Sequence, residues 1–102
     1  MKHNKLVCDR IPEIIAANGQ QAVWRVLETA DYKQALRRKL QEEVDEFLAS
    51  GEVEELADIL EVVYALAGQL GQGPAALEAI RQQKKAKRGG FDARLFLLET
   101  TG

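Results

Sequence analysis

The chain has 102 residues, a length that suits one domain over residues 1–102 with a modest core, helped by an oligomeric partner. Net charge is −2 and the sequence pI is about 5.4, a balance that argues against a nucleic-acid binder. The single cysteine, Cys8, excludes an internal disulfide, so a cytoplasmic setting is expected. No apolar h-region follows the basic start Met1–Lys5, so no secretory leader is expected. No apolar run approaches the roughly 20 residues of a membrane helix, so no membrane partner is expected either.

In chain order, Pro12 suits the first turn of a short helix over Ile11–Asn18, which Gly19 ends. The run Ala22-Val23-Trp24-Arg25-Val26-Leu27 is β-branched and aromatic and reads as a strand. A long helix follows over Asp31–Ser50, with Thr29 or Asp31 as its cap and Gly51 as its stop. Leu36, Leu40, Val44 and Phe47 form its apolar stripe. A second long helix covers Glu52–Gln69, with Leu56, Ile59, Leu60, Val63, Leu66 and Leu70 as its stripe. The connection at Ser50-Gly51 is short, so the two helices should pack as an antiparallel hairpin.

Gly71-Gln72-Gly73 breaks the chain, and Pro74 opens a third major helix that runs to about Lys87 and stops at Gly89-Gly90. The tail Phe91–Leu98 reads as extended and is a pairing partner for the Ala22–Leu27 strand in a small terminal β-hairpin. The expected fold is therefore all-α: a helical hairpin plus a third helix, completed to a bundle by dimerisation.

Charge is sorted along this framework. Nine acids lie between Glu42 and Glu61 with no Lys or Arg among them, whereas Arg81, Lys84, Lys85, Lys87 and Arg88 crowd the last helix. Facing helices so charged repel each other unless something offsets the charge, and a divalent cation would do so. Glu43 and Glu46 are three apart on one arm, and Glu55 and Asp58 are three apart on the other. Glu43 falls within the apolar stripe, between Leu40 and Phe47, where a carboxylate is costly unless coordinated or protonated. Asp45 points away from the stripe. Four hard oxygen donors suit Mg²⁺ or Mn²⁺ and not Zn²⁺. Mg²⁺ is commonly shared with substrate phosphates, which points to a phosphate-bearing substrate. The plainer reading of the same pairs is a solvated acidic surface.

At these residues the chain resembles a known superfamily. Glu43-Val44-Asp45-Glu46 and Glu55-Leu56-Ala57-Asp58 look like the ExxE…ExxD signature of the all-α NTP pyrophosphatases, the MazG-like proteins. Asn4-Lys5-Leu6-Val7 with Asp9–Ile15 resembles the opening of small phosphoribosyl-ATP pyrophosphohydrolase-like proteins of bacteria and phages, and Lys84 with Arg88-Gly89-Gly90-Phe91 resembles their closing motif. Similar proteins carry Arg where this chain has Cys8, which puts that position's role in doubt, with Lys5 or Arg10 as substitutes.

The resemblance implies Mg²⁺-dependent hydrolysis of a nucleoside triphosphate, or of phosphoribosyl-ATP, between the α and β phosphates. It implies Glu43, Glu46, Glu55 and Asp58 as metal ligands, with Glu46 or Glu43 also handling the water. Lys84, Arg88, Lys5 and Arg10 are the expected phosphate contacts. For Lys84 and Arg88 the competing explanation is stabilisation of the helix dipole. A homodimer or higher homo-oligomer is expected. The alternative function is a non-catalytic helical interaction module.

Overall fold

The computed structural model describes residues 1–102. It is all-helical, with α1 at Ile11–Ala17, α2 at Thr29–Ser50, α3 at Val53–Gln69 and α4 at Pro74–Arg88. No helix is long and apolar enough to cross a membrane.

The helix ends follow local chemistry. Pro12 and Pro74 sit in the first turns of α1 and α4, where the missing N–H costs no helical bond. Gly51 closes α2 in the left-handed region at φ 69°, and its N–H donates to the Phe47 carbonyl at 2.7 Å. That conformation penalises any residue with a Cβ. Neither Thr29 nor Asp31 caps α2. Both lie inside the helix, Glu28 occupies the cap position, and no side chain bonds the first turn.

α2 packs along α3, and α3 packs against α4. Inside the hairpin Leu36 and Val62 are buried, and Ala67 is buried towards the end of α3. Leu40, Val44, Phe47, Ile59, Val63 and Leu66 are half-buried. Leu56 and Leu60, expected within the same stripe, are instead 46% and 47% exposed. The apolar arc of α3 is wider than one facing helix can cover.

The expected strand and terminal β-hairpin do not form. Ala22–Leu27 and Phe91–Leu98 contain no strand. Val23 and Val26 are exposed, as are Phe91 and Leu95 to Leu98. β-propensity reflects fit to a pleated, half-buried surface, and neither segment has such a surface beside it.

The molecule is elongated, 62 × 32 × 23 Å, with a radius of gyration of 18.0 Å. A compact chain of this length would have a radius near 13 Å.

Candidate metal centre

The hairpin brings three of the four expected carboxylates together. Glu43 on α2 and Glu55 and Asp58 on α3 each offer an oxygen, all within 4.8 Å of one another. Glu55 and Asp58 meet because residues three apart share a helical face, and Glu43 meets them because α2 and α3 are packed against each other. Glu43 is only 6% exposed, Glu55 is half-buried and Asp58 is exposed, so the cluster opens to solvent on the Asp58 side. Glu46 lies one turn beyond Glu43, exposed and outside the trio.

The Lys39 ammonium lies 3.1 Å from Glu43 Oε1 and 3.5 Å from Glu42 Oε2. Lys5 reaches Glu42 Oε1 at 3.9 Å. The acidic stretch is therefore not without a basic partner. Lys39 supplies one from the turn before it, and its spacing of four from Glu43 was the signal for it in the sequence.

Both members of the pair are shifted upward. Burial raises the Glu43 pKa, the charges of Glu46 and Asp58 add to that, and Lys39 opposes them without winning. Burial alone would lower Lys39, but Glu43 and Glu42 together outweigh it and hold the ammonium above its ordinary value. Lys39 answers to two carboxylates, whereas Glu43 has one cation against desolvation and two acids.

One cation does not satisfy the cluster. Glu43 Oε2 and Glu55 Oε2 are both buried with no hydrogen-bond partner. Unpartnered buried oxygens are expensive, and buried charges are normally paired or coordinate a metal. Carboxylate oxygens on two helices, with an open side, are hard donors of the kind that hold a divalent cation. The donor set contains no His or Cys and does not fit Zn²⁺.

The expected phosphate contacts are dispersed. Lys5 borders a concavity of about 220 Å³ with Asn4, Arg38, Lys39 and Glu42. Arg10 pairs with Glu13 at 3.4 Å on the surface. Lys84 and Arg88 are exposed on α4 and make no ion pair within the chain. Cys8 is exposed and free.

No family model matches the chain, and no solved structure matches it. An uncharacterised protein of Mycolicibacterium smegmatis is 50% identical to it over 46 residues, or 45% of this chain and 47% of that protein. The chain thus spans about half the length of the curated relative it matches.

Proposed function

We propose that the protein is a Mg²⁺-dependent nucleotide pyrophosphohydrolase. The observation that supports this reading most is the pair of buried, unpartnered oxygens, Glu43 Oε2 and Glu55 Oε2, beside Asp58 on the open edge of the hairpin. Carboxylates so placed are wasteful in a purely structural role.

Glu43, Glu55 and Asp58 would hold the cation. When bound, it would neutralise phosphate charge and polarise the phosphoryl group. Glu46, exposed one turn away, would accept a proton from the attacking water at a carboxylate oxygen. A bond then forms from that water to the α-phosphorus as the α–β bridging bond breaks. The products are a monophosphate and pyrophosphate. Lys84 and Arg88, the basic residues of the closing motif, make no ion pair within the chain and would meet the phosphates. A nucleoside triphosphate is the proposed substrate, with phosphoribosyl-ATP as the narrower alternative.

The test is product analysis of the purified protein across canonical and modified triphosphates and phosphoribosyl-ATP, with and without Mg²⁺. Monophosphate and pyrophosphate should appear only with Mg²⁺. Glu43→Gln and Asp58→Asn should lose more than about tenfold in turnover while remaining helical, since even the outer-shell partners of a metal site cost about 10–100-fold. Full activity in both variants would sink the reading. A folded protein that binds Mg²⁺ but turns over nothing would favour the non-catalytic module.

A further inference from the structure

We propose that the concavity between the N-terminal segment and α2 holds the end of a polyphosphate chain, with Arg38 and Lys39 as its contacts. This deepens the nucleotide reading, and its place in turnover rests on that reading, whereas the binding site itself does not.

The walls come from two parts of the chain. Ala35, Arg38, Lys39 and Glu42 stand at i, i+3, i+4 and i+7, so they share one face of α2. Asn4, Lys5 and Leu6 line the other side. Asn4 takes φ 48°, in the left-handed region that asparagine adopts more readily than most residues, and the chain bends at Lys5 directly after it. Leu6 and Ala35 are half-buried and supply the apolar part of the lining.

Volume limits what fits. The space is about 220 Å³. Sites for drug-sized molecules run to about 300–1,000 Å³, so this one excludes a whole nucleotide and admits a short run of phosphates.

Charge selects the occupant. Lys5, Arg38 and Lys39 line the space against one carboxylate, Glu42. Lys5 and Lys39 share that carboxylate, at 3.9 and 3.5 Å. Even with Glu43, which Lys39 also meets, the cations outnumber the carboxylates. Arg38 is exposed and makes no ion pair within the chain. Its guanidinium presents a planar fork of donors that matches phosphate oxygens. An anion carrying several charges on linked phosphates offsets such a cluster better than a single carboxylate does.

Position ties the space to the carboxylate cluster. Lys39 lines it and also lies 3.1 Å from Glu43 Oε1, so a chain seated on Arg38 and Lys39 ends beside Glu43. Neither Arg38 nor Lys39 belongs to the opening or closing motif.

The test is binding of tripolyphosphate to the full chain in chelator at low salt, followed by calorimetry and by backbone amide shifts. Saturable binding is expected, with shifts at Asn4–Leu6 and Ala35–Lys39 and with affinity falling as salt rises. Arg38→Ala should weaken it about tenfold or more, the loss expected for a charge-assisted hydrogen bond. Arg38→Lys should keep part of the affinity. Arg37→Ala removes the same charge from the neighbouring exposed position, outside the concavity, and should keep all of it. No binding, shifts confined to Lys84–Arg88, or equal losses in Arg37→Ala and Arg38→Ala would each overturn the proposal. Turnover then assigns the source of the chain. A raised KM for triphosphates in Arg38→Ala supports the site as the seat of the nucleotide's own phosphates. An unchanged KM beside weakened tripolyphosphate binding supports it as a site for free polyphosphate. The binding measurements use neither Mg²⁺ nor turnover, so failure of the site and failure of the nucleotide reading give different results.

Discussion

Lys39 and Glu43, one turn apart on α2, are joined at 3.1 Å, yet that contact uses only one of the two carboxylate oxygens. The other, Glu43 Oε2, is buried without a partner, and so is Glu55 Oε2 across the hairpin. The lysine reduces the electrostatic cost of the cluster and leaves these two oxygens unpaired.

Mg²⁺ should therefore raise the thermal midpoint of the wild-type chain. At a hundredfold excess over the dissociation constant, linkage gives about 2.7 kcal/mol, several degrees or more for a chain of this size. Glu43→Gln and Asp58→Asn should each lose most of that increment in a thermal melt. An equal Mg²⁺ response in wild type and both variants would show that the ion binds elsewhere.

The pH dependence without metal follows from the raised Glu43 pKa. A carboxyl whose folded-state pKa lies above its unfolded value contributes stability that is present below the unfolded pKa. That stability is lost as pH rises through the folded value. Wild type in chelator should thus gain on Glu43→Gln as pH falls towards the ordinary glutamate value of about 4.3. Mg²⁺ requires the ionised form, so its stabilising increment should shrink over the same window. Paired melts at several pH values, with chelator and with Mg²⁺, measure both trends.

Lys39→Ala should destabilise the metal-free protein by about 1–3 kcal/mol, because it leaves buried Glu43 with no cation. Mg²⁺ should recover much of this loss, since it supplies the missing charge. Lys39→Arg should retain most of the stability. Urea unfolding of the three proteins in chelator and in Mg²⁺ separates these outcomes.

Leu36→Ala tests the hairpin core. Leu36 is 3% exposed, and truncating a leucine so buried costs about 2–5 kcal/mol. With so little else buried, the variant should unfold at markedly lower urea. Gln41→Ala, whose amide bonds Asp45 at 2.9 Å on the exposed surface, should change stability by less than about 0.5 kcal/mol.

The sequence by itself determined the four helices, their stops at Gly51 and Gly89, and the hairpin. Those features come from period, proline and glycine, which act over a few residues. It also singled out Glu43 as a carboxylate in an apolar stripe, because the spacing of Leu40, Glu43 and Phe47 is local information. Tertiary structure alone decided the rest. It joined Glu43 to Glu55 and Asp58 and left Glu46 outside, since which oxygens converge depends on how α2 rotates against α3. It turned Leu56 and Leu60 out of the hairpin, because one facing helix cannot cover so wide an apolar arc. It also left Ala22–Leu27 and Phe91–Leu98 unpaired, since a strand exists only where another backbone lies beside it to complete its hydrogen bonds.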